Sequence, residues 1–354
     1  MLAGYTLSSD RVADALLAAH RRGVRVRVLV EGSPVGGVSR AQAATLDRLA
    51  AAGVPVAIVS GPKVKFSYHH AKYAVVDDRS LVLTENWKPA GTGGRDSRGW
   101  GVRVASNRTA DELAAVFAAD STGRGVVDWE SFRDGREFVD DAPATATYPA
   151  RFAPESVCAT EVRVLTTPGN AGEAVIRRVD GAEERIAVVN PRIDPDSRFF
   201  AALVRAARRG VSVRILLSNA WYDEAENEAV VARVEELRKS GLPIEARIAD
   251  PRGRFGKVHA KGAVVDGEFA LVGSLNWNDH AATENREVVL ELSGDGPAGY
   301  YRRAFDADWN AAGGGAGALG VADADRTTWL LVAGALASAA LAGLILKKAV
   351  RFEG

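Results

Sequence analysis

The sequence predicts an α/β protein made of two tandem copies of one unit, followed by a C-terminal transmembrane helix. Three observations carry this prediction: an internal duplication, an alternation of strands and helices in the second copy, and one long apolar run near the carboxyl end. Strands that alternate with helices indicate a sheet covered by helical layers. We therefore expect one duplicated α/β domain with a separate apolar tail.

The duplication extends over most of the chain. Residues 15–30, ALLAAHRRGVRVRVLV, match residues 202–217, ALVRAARRGVSVRILL, at an offset of 187. The offset rises to 190 where Asn86-Trp matches Asn276-Trp. An ordered match whose offset drifts by single residues indicates a tandem duplication with small insertions. We predict a first repeat over 1–120, an irregular, solvated connector over 121–160 and a second repeat over 161–310.

The second copy is complete enough to predict its elements in order. It predicts strands near 162–165, 186–189, 211–217, 244–248, 259–265, 269–272 and 287–292, and helices near 171–179, 197–209, 224–240 and 297–309. The first copy starts late, because Met1 corresponds to Val188 and the counterpart of residues 161–187 is missing. A sheet without its opening strand has an uncovered edge, so we expect a segment upstream of Met1.

The carboxyl end contains an apolar run. Residues 329–346 carry no charge, and together with two threonines they predict a transmembrane helix over 327–346, about 30 Å long. Residues 311–326 read as a flexible linker, and 347–354 form a basic tail. The basic tail predicts a single-pass protein with a cytoplasmic carboxyl end and an extracytoplasmic domain. The alternative is a buried, alanine-rich helix of the soluble fold.

Composition excludes several classes of protein. The chain has 354 residues, with 45 Lys and Arg against 45 Asp and Glu, so its formal net charge is zero. A protein that coats nucleic acid needs a broad basic excess. One cysteine excludes an intramolecular disulfide framework, and five histidines leave little material for a soft-metal centre.

One constellation of chemical residues occurs in both copies. The first has His70-Ala-Lys72 and then Asp77, and the second has His259-Ala-Lys261 and then Asp266. On a strand, residues i and i+2 point to the same face, so histidine and lysine reach one cleft. An ammonium group stabilises phosphate oxygens while an imidazole attacks phosphorus or moves a proton. Alone, such a pair is more often a surface pair; its repetition indicates a site for a phosphodiester.

Hydroxyl and amide side chains follow each motif. Thr84 and Asn86 follow the first, and Ser274 and Asn276 follow the second, where the next strand ends. Their neutral hydrogen bonds suit the same phosphate oxygens. We therefore predict that these four residues bind substrate.

The pattern H-x-K-x4-D-x6-G-S-x-N resembles that of the phospholipase D superfamily, and the resemblance covers residues 3–310. It implies two repeats, each a mixed β-sheet flanked by helices, packed side by side with one active site at their interface. It also implies a two-step phosphodiesterase that uses no metal or other cofactor. His70 would be the nucleophile and His259 the acid/base, although the near symmetry leaves the reverse assignment open.

The same resemblance implies roles for the other residues. Lys72, Lys261, Asn86 and Asn276 would bind phosphate. Asp77 and Asp266 would hold the opposite histidine or a lysine in place. Glu287 resembles an acidic residue that many members carry beyond the second motif.

The first copy departs from the family pattern. Its spacing is one residue short, Leu83 replaces the glycine and Thr84 replaces the serine. No acid occupies the place of Glu287, where Gly99-Trp-Gly stands instead. We therefore expect reduced or specialised activity.

Three substrate hypotheses stay open. The first is a membrane-anchored phospholipase or phosphatidyltransferase, tethered by the apolar segment. The second is an endonuclease, because residues 61–108 carry nine Lys and Arg against four acids. The third is a non-catalytic module that binds phosphodiesters, which the loss of glycine at Leu83 favours. Oligomeric state is left open.

Overall fold

Two seven-stranded sheets, one from each repeat, form the framework of the protein. The computed structural model describes residues 1–60, 63–141 and 146–313, and Met1–Gly313 belong to one structural unit. In both sheets the strands are mixed in direction and helices cover the faces. The predicted α/β repeats with mixed sheets are therefore present.

The first half begins with a strand at the amino end. Its elements are β1 (Leu2–Gly4), α1 (Asp10–Arg21), β2 (Val28–Glu31), α2 (Arg40–Ala51), β3 (Val56–Val59), β4 (Tyr73–Val76), β5 (Arg79–Leu83), α3 (Pro89–Thr92), β6 (Ser97–Arg98), β7 (Gly101–Ala105), α4 (Asn107–Ser121), β8 (Val126–Asp128) and α5 (Trp129–Arg133). Serine side chains cap the amino ends of two helices. Ser39 accepts a hydrogen bond from the Gln42 amide at the start of α2, and Ser106 accepts one from the Thr109 amide at the start of α4.

The second half follows the predicted order of strands and helices closely. Its elements are β9 (Glu161–Thr167), α6 (Ala171–Asp180), β10 (Arg185–Asn190), α7 (Arg198–Arg208), β11 (Ser212–Leu217), α8 (Glu224–Lys239), β12 (Ile244–Ile248), β13 (Lys257–Val258), β14 (Gly262–Val265), β15 (Phe269–Gly273), α9 (Asp279–Thr283), β16 (Glu287–Ser293) and α10 (Asp295–Ala312). The apolar face of α7, with Phe199 and Leu203, is buried against the sheet. Of one predicted strand, 259–265, only the part from 262 onwards is regular, as β14, and the short strand β13 lies just before the predicted range.

The sheet orders show that the halves are equivalent. The first is β7-β5-β4-β1-β2-β3-β8 and the second is β12-β11-β10-β14-β15-β16-β9. When one sheet order is read forwards and the other backwards, six strands of the first sheet correspond to six of the second. The hydrogen-bonding register also corresponds: Leu83 pairs with Gly101 in the first half, and Gly273 pairs with Val289 in the second. Within the two seven-stranded sheets, two strands have no counterpart: β8 extends the first sheet and β9 extends the second. The corresponding registers let residues be compared position by position.

Reciprocal contacts join the halves. Nη2 of Arg286 donates to Oδ1 of Asp120 over 2.9 Å. In the same way, Nη2 of Arg98 donates to Oδ1 of Asp308 over 3.0 Å. Each pair links an arginine of one half to a buried aspartate on the long helix of the other. Breaking a buried pair of this kind leaves an uncompensated charge. The two pairs therefore hold the halves in a fixed relation.

The predicted connector is partly wrong. Residues 126–133 form β8 and α5, and β8 pairs antiparallel with β3 in the first sheet. Trp129 and Phe132 are buried, so this acidic stretch is not simply a solvated connector. The physical reason is that these two aromatic residues, among the acids, supply apolar area whose burial outweighs the cost of ordering the segment.

The predicted fold class is wrong in its transmembrane helix. Within the described ranges, no helix is both long and apolar enough to cross a membrane. The longest, α10, packs one face on the sheet and carries Arg302, Arg303 and Asp306 on its other side, and its buried Asp308 pairs with Arg254. The linker, span and tail predicted over 314–354 lie outside the described residues. An apolar run satisfies the length requirement for a span but does not by itself establish one.

Candidate active site

The two histidine motifs meet where the halves contact each other. His70 lies three residues before β4, and its backbone N–H donates to the carbonyl of Arg286, 2.9 Å away. His259 lies three residues before β14, and its N–H donates to the carbonyl of Arg98 over the same distance. The motifs were expected within strands. They instead precede them, because their backbone groups bond to the opposite half before the regular pairing begins.

Each histidine is held by a carboxylate from the other half. Nδ1 of His70 lies 2.9 Å from both oxygens of Glu287. Nδ1 of His259 lies 3.2 Å from Oε2 of Glu85. A carboxylate on Nδ1 stabilises the tautomer that leaves the Nε2 lone pair free. The arrangement therefore prepares two imidazoles in one site to act through Nε2.

The sequence motifs did not predict a role for Glu85. In the aligned registers Glu85 corresponds to Leu275, while Glu287 corresponds to Gly99. A Cβ added at Gly99 would lie 2.1 Å from Cγ of Glu85, so the glycine makes room for the carboxylate. The signal was present in the sequence as an additional acid inside Thr84-Glu-Asn, together with a glycine where an acid was expected.

Both lysines are buried in the same cleft. Lys261 donates from Nζ to the carbonyls of His259 at 2.7 Å and Thr84 at 3.4 Å, and Lys72 donates to the carbonyl of His70. Burial lowers the pKa of Lys261 to about 7, and burial with the positive charge of Lys261 lowers the pKa of Lys72 well below its usual range. Two buried ammonium groups favour an anion between them.

Burial is also the largest influence on the pKa of each histidine. It lowers the pKa of His70 to about 4, against the opposing charge of Glu287. Burial, with the charge of Lys261, lowers the pKa of His259 to about 3. The carboxylates behave differently: burial opposes ionisation of Glu85 and Glu287, but the neighbouring imidazole and ammonium groups outweigh it and lower the pKa of each. The cleft thus holds neutral imidazoles beside ionised carboxylates.

Thr84 and Ser274 bond to backbone. Thr84 Oγ1 accepts from the Trp100 N–H at 2.8 Å, and Ser274 Oγ accepts from the Val288 N–H at 3.1 Å. Both residues are fully buried. Their hydroxyls tie the end of one strand to the start of the next, which differs from the predicted contact with substrate.

Asn86 and Asn276 follow these residues at equivalent positions and are half-buried. The Asn86 side-chain oxygen is buried without a hydrogen-bond partner among the described residues. Both amides therefore stay candidates for binding substrate.

Asp77 and Asp266 lie outside the cleft. Each has a positive φ of 53° in the turn after its strand, β4 or β14. Asp266 accepts from the backbone amides of residues 183, 184 and 185, at 2.8 to 2.9 Å. It anchors the approach to β10, and the expectation that it holds the opposite histidine or a lysine is wrong. Asp77 is exposed in the equivalent turn.

Tyr5 is a second residue that sequence reasoning missed. Its ring centroid lies 4.8 Å from that of His70, and Lys72 Nζ lies 5.1 Å from its ring centroid. An aromatic face attracts an ammonium group. Tyr5 therefore forms one wall of the site beside His70 and Lys72.

The family comparison agrees with this geometry. Residues 1–121 and 175–309 match the family described as cardiolipin synthase, PLD-like domain. The chain belongs to the PLD-like domain family. Membership confirms the resemblance to the phospholipase D superfamily, and with it the prediction of an enzyme of the phospholipase D type.

Individual relatives are more distant. The chain is 27% identical over 304 residues to cardiolipin synthase A of Yersinia pseudotuberculosis serotype O:1b, covering 81% of this chain and 58% of that protein, and the figures for Yersinia pestis are the same. It thus spans less than two thirds of these relatives. Phosphatidylserine synthase of Haemophilus influenzae superposes with a TM-score of 0.63 at 12% identity, covering 88% of this chain and 80% of that one, which shows the fold alone.

Proposed function

We propose that this PLD-like chain cleaves or transfers the phosphodiester of a phospholipid through a phosphohistidine intermediate. The observation that carries the proposal is the reciprocal arrangement at the interface, where each histidine is held by a glutamate of the other half and both motif lysines are buried in the same cleft. The family match and the cardiolipin synthase relatives favour a phospholipid over other phosphodiesters.

His70 is the proposed nucleophile. Both oxygens of Glu287 lie 2.9 Å from its Nδ1, a closer contact than Glu85 makes with His259. The stronger acceptor on Nδ1 makes Nε2 the better nucleophile. In the first step Nε2 of His70 bonds to phosphorus, the bond from phosphorus to the leaving alcohol breaks, and His259 gives that alcohol its proton.

The second step reverses these roles. His259 takes the proton of a water or acceptor alcohol, whose oxygen bonds to phosphorus as the bond to His70 breaks. Lys72 and Lys261 stabilise the charge on the phosphate oxygens in both steps. An anionic substrate between the lysines favours the protonated form of His259, offsetting the lowering of its pKa by burial.

The test uses the full chain with EDTA present on phosphatidylglycerol vesicles and, separately, on single-stranded DNA. We expect lipid turnover, with cardiolipin as the product of transfer and phosphatidate as the product of hydrolysis. His259→Ala should abolish it, whereas His280→Ala, an exposed histidine in α9, should not. Cleavage of DNA alone would support the endonuclease instead. Binding without cleavage of either would support a non-catalytic module, and loss of activity in EDTA would contradict the mechanism.

A further inference from the structure

Two loops at equivalent positions expose large hydrophobic side chains. Residues 32–37 follow β2, and residues 218–223 follow its counterpart β11. Val35 in the first loop is 78% exposed, and in the second Trp221 is 82% and Tyr222 47% exposed. Folded proteins expose few contiguous large apolar side chains without a function for them. We name Val35, Trp221 and Tyr222 the mouth residues.

The first loop lies beside His70. The backbone N–H of Val35 donates to the hydroxyl of Tyr5 over 2.6 Å. The ring centroid of Tyr5 in turn lies 4.8 Å from that of His70. One side chain therefore separates Val35 from the proposed nucleophile.

The second loop lies beside His259. Asn219 Nδ2 donates to the carbonyl of Gly256 over 2.8 Å, and Lys257 Nζ lies 5.3 Å from the ring centroid of Tyr222. Lys257 precedes His259 by two residues. The mouth residues thus flank the cleft from both halves.

We infer that the mouth residues dock the cleft onto the interfacial region of a phospholipid bilayer. This inference rests on the proposed function, because it explains how a buried site reaches a diester in a membrane. Tryptophan and tyrosine prefer the interface, where an apolar ring and a polar group are both accommodated. Valine adds apolar area on the other side of the cleft.

The charges around Trp221 favour a bilayer over nucleic acid. Asp223, Glu224 and Glu226 follow the exposed aromatic residues at the start of α8. The cations nearby are already paired with acids: Lys257 lies 3.2 Å from Asp96, and Arg192 lies 3.6 Å from Glu226. A nucleic acid stacked on Trp221 would bring its phosphate backbone against these carboxylates, whereas nucleic-acid sites surround their aromatic residues with cations. Insertion of apolar side chains among lipids has no such requirement.

A local label tests the docking surface without relying on turnover. An environment-sensitive fluorophore is attached to Val35→Cys, Trp221→Cys or the control Val76→Cys, each in the full chain with Cys158→Ser. Val76 is 62% exposed and ends β4, whereas the cleft motif precedes that strand. With vesicles of phosphatidylcholine and phosphatidylglycerol, the labels at 35 and 221 should shift their emission to the blue, and the label at 76 should not.

Other outcomes overturn the inference. These are an equal shift at all three positions, no shift at 221 whether or not the chain sediments with vesicles, or a shift with single-stranded DNA but not with lipid. Because the readout is local, attachment of another part of the chain to the vesicle does not imitate the expected result.

A kinetic comparison separates this inference from the proposed function. Replacing Trp221 and Tyr222 by alanine should lower turnover of vesicular phosphatidylglycerol about tenfold. Turnover of the soluble diester bis(4-nitrophenyl) phosphate should be unchanged, and Val76→Ala should alter neither rate. An equal loss on both substrates would overturn docking. If the unaltered chain cleaves neither substrate, the proposed function fails. The emission shifts of the labels still show whether the mouth residues enter the bilayer.

Discussion

The two halves of the protein form the same contact from different positions. In the second half the carboxylate is Glu287 at the start of β16, and the residue after Ser274 is Leu275. In the first half the position of Glu287 is Gly99, and the carboxylate is Glu85, at the position of Leu275. Each carboxylate nevertheless binds Nδ1 of the histidine in the opposite half.

The exchange required two compensating changes. A glutamate at position 85 needs the volume that a side chain at position 99 would occupy, since a Cβ at Gly99 would lie 2.5 Å from Oε1 of Glu85. The difference shows that the contact with histidine is constrained, whereas the strand that supplies the carboxylate is not. The first copy, which has no acid at position 99, therefore supplies the corresponding carboxylate from position 85.

Converting the first half to the arrangement of the second has the largest expected effect. Glu85→Leu removes the partner of His259, and we expect kcat/KM to fall by about 10² or more, since general acid–base catalysis contributes on that scale. Adding Gly99→Glu to Glu85→Leu places the acid as in the second half and should restore most of the loss. The measurement is initial rate on phosphatidylglycerol with its pH profile.

Two controls accompany this exchange. Glu85→Gln keeps the shape of the side chain and removes its charge, so it should resemble Glu85→Leu in rate while folding normally. Glu112→Leu, a surface substitution in α4, should be neutral. An active Glu85→Leu variant, or a double variant that folds but recovers nothing, would contradict the equivalence of the two positions.

The reciprocal ion pairs should differ in their contribution to stability. Arg286→Met leaves Asp120 buried beside His69, whose Nε2 lies 3.3 Å from Oδ2 of the aspartate. Removing one partner of a buried pair costs about 3–5 kcal/mol of the free energy of unfolding. Arg98→Met should cost less, because Arg254 also donates to Asp308, over 3.0 Å. Denaturant unfolding measures both, and equal losses would contradict this ranking.

The duplication made the fold and the two histidine motifs predictable from sequence. Offsets near 188 and apolar periodicity located the strands because each repeat buries its sheet in the same way. Glu85 was missed because comparison of repeats seeks the same residue at the same position, whereas the contact with His259 is formed through space. Asp266 was misassigned for a related reason: its motif spacing does not reveal that it lies in a turn, bonded to backbone amides.

The two halves also differ in the side chain that they place at one equivalent position of the interface. Gly262 of the second half faces Trp100 of the first, and a Cβ at Gly262 would lie 2.7 Å from the indole ring and 2.5 Å from the carbonyl oxygen of Leu271 in the neighbouring strand. In the first half Tyr73 occupies the position of Gly262. We expect Gly262→Ala to lower the free energy of unfolding by about 1–3 kcal/mol, the usual cost of overpacking a core.

The matched control is Gly299→Ala in α10, where the added Cβ meets only Arg303, at 3.7 Å. It should stabilise the protein by about 0.4–1 kcal/mol, because alanine restricts the unfolded chain more than glycine does. Thermal or denaturant unfolding of both variants gives the comparison. A neutral Gly262→Ala would show that Trp100 relaxes away and that this contact does not fix the halves.

The smallest effect concerns the two lysines. Burial lowers the pKa of Lys261 to about 7, so its ammonium group is mostly charged at pH 6 and mostly neutral at pH 8. Sulfate, which does not titrate in this range, should therefore inhibit about tenfold more weakly at pH 8 than at pH 6. The pKa values of His70 and His259, about 4 and 3, leave both imidazoles neutral between pH 6 and pH 8 before sulfate binds. In Lys261→Arg the guanidinium stays protonated, and the inhibition constant should become independent of pH. A pH dependence that persists in this variant would assign the titration to another group, either His259, whose protonated form a bound anion favours, or Lys72 of the first half.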